Sequence, residues 1–471
     1  MTLLGIDKTL LSSWLTKALG SQADRGDMRI RRAGLSGITS VMAQGLAMAA
    51  NLISIPLTVR YLGAERYGVW LTMGSAVGWL AITDLGFGGN ALINVLAEAD
   101  GKGDRSTAQG LVATAFWCLT MIALAVGIVF GCVFPFVSWT SVFNVSSGVA
   151  AEELRQALIL QTVIFLVMFP LGVVNATYRA FQEGYIANFW EIVASIMTLL
   201  AIVVVTRMRG GLPQLVAALS GTRLIVTVLN AVYLFKNRHP SLMPCPGGVR
   251  RPLFARLTSL GMKYLINQLA VIATFQSQAM IITHVLGPTR VGIFTIAHRL
   301  ITLPSTLVYM LTHPLLSAYS EAKARGDWDW IWTTVKRYLI GAAVFSVVSV
   351  VAISVIAQPL VRVWAGPGMV PSTELVIALA VYTVIISVAT PPGILLYGLE
   401  QVGSLAVILS AHAVLSMILC IRLAQSMGLV GIAVGMSVSF VAANWVGQTI
   451  QLRRIVNRSR RRQLASAATV A

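Results

Sequence analysis

Leu62-Gly63-Ala64-Glu65-Arg66-Tyr67-Gly68 and, 224 positions on, Leu286-Gly287-Pro288-Thr289-Arg290-Val291-Gly292 read as two copies of one turn. Each lies between long apolar runs. The match extends in both directions: Gln44 meets Gln268 and Arg60 meets His284 at the same offset. Glu98-Ala99 followed by Gly103-Asp104 recurs as Glu321-Ala322 followed by Gly326-Asp327. Later, Glu183 meets Glu400 and Gly211-Leu212 meets Gly428-Leu429 at a slightly shorter spacing. An ordered series of this kind is an internal duplication. Repeats of equal orientation are related by a pseudo-twofold axis along the membrane normal, with a substrate site between them near mid-membrane.

The runs around the turns are greasy enough to require a membrane. Of 471 residues, 56% are hydrophobic and only 11% charged, against about 25% charged in soluble proteins. That polar surface is too small for a soluble enzyme. A span needs about 20 mostly apolar residues. This ruler predicts an all-α integral membrane protein with twelve transmembrane helices, near 36–59, 67–96, 109–137, 154–178, 186–207, 212–235, 261–284, 291–319, 331–357, 373–398, 402–424 and 428–450. The expected organisation is a basic amphipathic arm (1–35), a six-helix bundle (36–235), a Pro-rich linker (236–260), a second six-helix bundle (261–450) and a basic tail (451–471).

The net charge of +18 reflects topology rather than nucleic-acid binding. Lys and Arg crowd the arm, the linker and the tail, which places both termini in the cytoplasm against anionic lipid. Cys118, Cys132, Cys245 and Cys420 are too scattered for a disulfide framework or a zinc site. No phosphate-binding Gly-rich loop, His-Glu-x-x-His or dinucleotide fingerprint is present, so no cofactor is expected. Asp327-Trp328-Asp329 imitates a metal-binding pair, but turn chemistry accounts for its first Asp.

Pro56-Leu57-Thr58-Val59-Arg60-Tyr61-Leu62-Gly63 runs into Tyr67-Gly68-Val69-Trp70; Asp84-Leu85-Gly86-Phe87-Gly88 and Arg179-Ala180-Phe181-Gln182-Glu183-Gly184 follow. Over about 35–450 these short motifs resemble the polysaccharide-transport branch of the multidrug/oligosaccharidyl-lipid/polysaccharide (MOP) superfamily, the Wzx-type O-antigen flippases. The resemblance implies two six-helix lobes in a V, as in MATE-like transporters, opening alternately to each side. It implies an undecaprenyl-diphosphate-linked oligosaccharide as cargo, an ion gradient (H⁺ or Na⁺) as driving force, and residence in the bacterial inner membrane beside polysaccharide polymerase and assembly proteins.

Given that cargo, charges inside spans become candidates, because an intramembrane Arg is expensive. Arg223 and Arg299 lie about 17 and 12 Å from the outer ends of their predicted spans at 1.5 Å per residue. With Arg60, His298 and His284 they would form a cationic cavity for a diphosphate, which guanidinium groups bind through paired donors. The competing reading pairs Arg223 or Arg299 with Asp84 or Glu191 as a helix lock. Gln44 and Asn51 on span one, and Gln268 and Gln278 on span seven, could meet sugar hydroxyls or merely bond between helices. Asp84, Glu191 and His412 are the candidates for ion coupling. A cation antiporter of the same superfamily, a major-facilitator carrier and a polysaccharide-pathway membrane enzyme remain as alternatives.

Overall fold

The computed structural model describes residues 25–84, 87–145 and 148–456. The first 24 residues of the amphipathic arm and the tail from 457 lie outside them. Nine helices among the described residues are long and apolar enough to cross a membrane, and Pro288–Ile301 with Leu303–Thr312 forms one more span bent by 45°. Arg25–Trp79 is interrupted at Gly63, and Val402–Ser439 at Gly428. Dividing both at these glycines gives the twelve spans expected. We call the face carrying both described chain ends the near face, and the face of the Gly63 turn the far face.

The duplication is written into the backbone. Gly63 (φ 76°, ψ 171°) and Gly287 (φ 92°, ψ 157°) occupy the same right-hand region of φ/ψ space, open to glycine alone. Asp104 caps Arg105–Val133 by accepting from Thr107 N at 2.9 Å, and Asp327 caps Trp328–Trp364 by accepting from Trp330 N at 3.1 Å. Asp327 is thus an N-cap. In the third pair the backbone shifts the register by one: Gln182 (φ 56°) answers Glu400 (φ 60°). Glu183 is buried, whereas Glu400 is an exposed partner of Lys323.

Two boundaries differ from the hydropathy reading. Span seven is one helix, Arg251–Leu286, which absorbs the end of the predicted linker because its first turns are amphipathic rather than uniformly apolar. Span two ends at the 3-10 turn Leu80–Asp84, and a separate helix, Asn90–Gly101, follows on the near face. Asp84 Oδ1 accepts from Gly88 N at 2.6 Å across this break.

The cores show how the lobes meet. On the far face Ile55, Val59 and Tyr67 of the first lobe join one cluster with Ile282, Val291, Phe294 and Val361 of the second. On the near face the cores are separate: one holds Leu92, Leu111 and Tyr178, the other Tyr319, Ile331 and Leu395. The start of span seven crosses, where Leu257 enters the first lobe's core and Arg256 reaches Glu98 at 2.5 Å. The lobes therefore share a core at the far face and part toward the near face. Ile128 (67% exposed), Val348 (64%) and Val355 (74%) belong to an outward apolar belt suited to lipid.

Candidate functional site

The far-face seam is made by backbone as much as by side chains. Gly68 packs on the Pro288 carbonyl so closely that a Cβ would overlap it. The Thr72 and Thr283 hydroxyls stand 2.5 Å apart, Trp364 Nε1 donates to the Leu52 carbonyl at 2.9 Å, and Arg60 donates to the Val363 carbonyl. Arg60 thus serves the seam.

Below the seam, two chambers lie between the lobes. The larger, about 510 Å³, is walled by spans two, four, six, seven and eight, and includes Trp70, Gln161, Gln276, Gln278, His298 and Arg299. The smaller, about 290 Å³, is walled by spans one, two, five, six and eight, and includes Asn51, Tyr67, Thr198, Arg223 and Arg299. Trp70, Ser220 and Arg299 belong to both, so the chambers adjoin. Arg223 and Arg299 each sit about 17 Å along their helices from Leu212 and Pro288 at 1.5 Å per residue. Among the described residues, neither chamber has an Asp or Glu in its wall. A π-helical turn, Ala217–Gly221, brings Ser220 to Gln161 at 2.8 Å, and such turns recur at functional sites.

The two deep arginines differ. Arg223 is ion-paired with Glu191 across spans six and five, the helix lock that the sequence left open. Arg299 has no carboxylate partner among the described residues. Its one hydrogen bond there is a long one, 3.4 Å, from Nη1 to Asn51 Oδ1. A guanidinium left with spare donors at mid-depth attracts an anion.

The remaining candidates fall in different places. His298 stacks on Phe294 at 5.7 Å and faces the larger chamber. Gln278 lines that chamber. Gln268 lines neither; it donates to the Ala81 carbonyl at 2.9 Å and ties span seven to span two. Gln44 bonds Ser40 within its own helix, and His284 is exposed in the last turn of span seven; neither lines a chamber. Of the ion-coupling candidates, Asp84 caps the span-two break, and His412 is buried edge-on to Phe440 at 5.3 Å. Only Glu191 touches a charge of the chambers. Sequence reasoning missed Gln161, Thr198 and Tyr67. Gln161 alone carried a signal, as a lone amide inside an apolar run.

A second polar cluster lies on the near face. Glu183, 2% exposed, accepts from Arg238 Nη2 at 2.5 Å and lies 3.1 Å from His239 Nε2. Burial opposes its ionisation, but the hydrogen bonds and charges of His239 and Arg238 outweigh it and hold the carboxyl at about 2. The cluster pins the turn between spans four and five to the end of span six.

Comparison with known proteins agrees with this architecture. An inward-facing multidrug resistance MATE family transporter of the MOP superfamily superposes with a TM-score of 0.75 at 16% identity, covering 87% of this chain and 95% of its own. The lipid II flippase MurJ, in an inward closed conformation, gives 0.69 at 11% identity, covering 88% and 87%. A MOP superfamily transporter from Pyrococcus furiosus, described as having a binding pocket of reverse polarity, gives 0.65 at 15% identity, covering 91% and 96%. No curated protein matches the chain by sequence. The family model described as polysaccharide biosynthesis protein matches residues 35–320, more than half of the chain. The chain is a multi-pass membrane protein with the MOP transporter fold, and it belongs to the polysaccharide biosynthesis protein family.

Proposed function

We propose that the protein is a flippase that carries an undecaprenyl-diphosphate-linked oligosaccharide across the bacterial inner membrane by alternating access, with both termini cytoplasmic. The observation that carries this reading is Arg299: a guanidinium without a carboxylate partner among the described residues, at mid-depth in a cleft between two repeated lobes. A diphosphate supplies the paired acceptors it lacks. The amides of Gln161, Gln276 and Gln278 beside it suit sugar hydroxyls. The family match supports a polysaccharide pathway, and the neighbour named as a lipid II flippase supports a lipid-linked cargo.

In this reading the diphosphate enters from the near face, where the lobes part, and is held by Arg299. Arg223 is the second cation, shared between Glu191 and the headgroup. An H⁺ or Na⁺ gradient drives the return, with Glu191 as the carboxylate best placed to couple to it. A cation antiporter would want carboxylates in the cleft wall, and neither chamber has one among the described residues.

The test is transport by the full chain in proteoliposomes. Fluorescent undecaprenyl-diphosphate oligosaccharide and a lipophilic cationic dye are offered in parallel under imposed ΔpH or ΔNa⁺. Gradient-dependent movement of the lipid-linked sugar alone supports the reading. Movement of the dye alone overturns it in favour of the antiporter.

A further inference from the structure

Two residues in the wall of the smaller chamber carry hydroxyls that have nothing to bond among the described residues. Tyr67 is 1% exposed and in the chamber wall, and its phenolic oxygen has no hydrogen-bond partner among the described residues. The same is true of the buried Thr198 Oγ1, in the wall on span five. Buried polar atoms are nearly always satisfied, so each orphan needs an explanation. These two share one chamber with Arg299 and Arg223.

Three neighbouring hydroxyls are already used. Thr58 donates to the Ser54 carbonyl at 2.8 Å, Ser54 to the Asn51 carbonyl at 2.9 Å, and Ser220 to Gln161 at 2.8 Å. The spare capacity is therefore the Tyr67 and Thr198 hydroxyls, the Ser195 hydroxyl in the same wall, and the unused N–H groups of Arg299. An Arg side chain can only donate, so the ligand that satisfies this set offers acceptors and negative charge. Phosphoryl oxygens do so. A water could satisfy a hydroxyl but not the charge, and a cation is repelled by two guanidinium groups. The larger chamber is different in kind: Gln161, Gln276, Gln278, Ser75 and Thr295 can both donate and accept, as a hydroxyl-rich group demands.

We infer that the phosphoryl end of the cargo occupies the smaller chamber, where the Tyr67 and Thr198 hydroxyls donate to its oxygens beside Arg299, while the sugars occupy the larger one. Trp70 and Ser220 stand on the boundary. The inference rests on the flippase reading and adds to it the orientation of the cargo and two binding residues.

The test is binding to the full-length protein in nanodiscs, with undecaprenyl diphosphate as probe and undecaprenol as the phosphate-free control. Tyr67→Phe and Thr198→Val should each weaken undecaprenyl diphosphate binding about tenfold, as expected for one hydrogen bond to a charged ligand. Undecaprenol binding should not change. The thermal midpoint should stay level or rise, because each variant removes an orphan polar atom; a packing role for the hydroxyls would instead lower it. Thr198→Val carries the test by itself if Tyr67→Phe does not fold. If both variants bind the probe as the parent does while Arg299→Ala loses it, the hydroxyl assignment is wrong and the headgroup reading stands. If the parent protein binds no undecaprenyl diphosphate, both fall. If phosphatidylglycerol in the disc displaces the probe with the same sensitivity to the two variants, the occupant is an ordinary anionic lipid and the inference is overturned.

Discussion

Gly68 rests on the Pro288 carbonyl with no room for a Cβ between them. These residues belong to the two repeat-related turns, so the duplicated motif is also the place where the halves touch. The obstacle is backbone, and no rotamer change can relieve it. Gly68→Ala should wedge the far-face seam apart and abolish transport. A Thr283→Cys reporter, in a background lacking Cys118, Cys132, Cys245 and Cys420, reads the opening. Thr283 is 1% exposed, so its labelling by a membrane-impermeant maleimide should rise about tenfold in the Gly68→Ala protein, while unchanged labelling contradicts a seam closed at this point.

The Arg223–Glu191 pair is half-exposed on both sides, and such pairs contribute up to about 1 kcal/mol. Glu191 therefore competes only weakly for Arg223. Glu191→Gln should free the guanidinium and tighten undecaprenyl diphosphate binding by about threefold, whereas Arg223→Gln should weaken it. A double-mutant cycle on these affinities should give a non-zero coupling. Strict additivity would mean that Arg223 serves only to lock spans five and six.

Glu183 predicts a pH dependence confined to acid. Its carboxyl is held at about 2, below the ordinary glutamate value of 4.5, by His239 and Arg238 against the pull of burial. A depressed carboxylate stabilises the fold above its unfolded-state value, and that contribution is lost as pH falls through the folded one. Thermal stability should thus hold above about pH 4.5 and decline toward pH 2. Glu183→Gln should flatten that decline and cost about 2 kcal/mol at neutral pH, the scale of hydrogen bonds to a charged group. A melting series across pH on both proteins reads the difference; parallel curves would show that another carboxylate sets the acid limb.

Much of the fold was legible because hydropathy and spacing are one-dimensional signals. Twelve apolar runs and the 224-residue echo of Leu62–Gly68 are enough for paired six-helix lobes. The start of span seven was not legible: a helix around Arg251-Pro252 is amphipathic, and a ruler that counts apolar residues begins too late. The one-residue shift from Glu183 to Gln182 as the counterpart of Glu400 was hidden because side-chain identity suggested one register and backbone φ another. Within the site, depth singled out Arg299 and Arg223, and both line the smaller chamber. The choice of Glu191 as partner for one and of no carboxylate for the other is tertiary, set by which helix faces meet. Tyr67 and Trp70 were obscured for the same reason, since their packing against the second lobe exists only once the lobes are placed side by side.

Arg299 is the residue proposed to hold the anionic headgroup between the lobes. Initial flipping rates of fluorescent undecaprenyl-diphosphate oligosaccharide in proteoliposomes test this role, comparing the parent protein with Arg299→Ala and Arg299→Lys at matched incorporation. At least about a tenfold loss is expected for Ala, from the missing charge-assisted hydrogen bonds, and partial retention for Lys, which keeps the charge without the paired donors. An Arg299→Ala protein that flips the lipid at the parent rate would contradict that role.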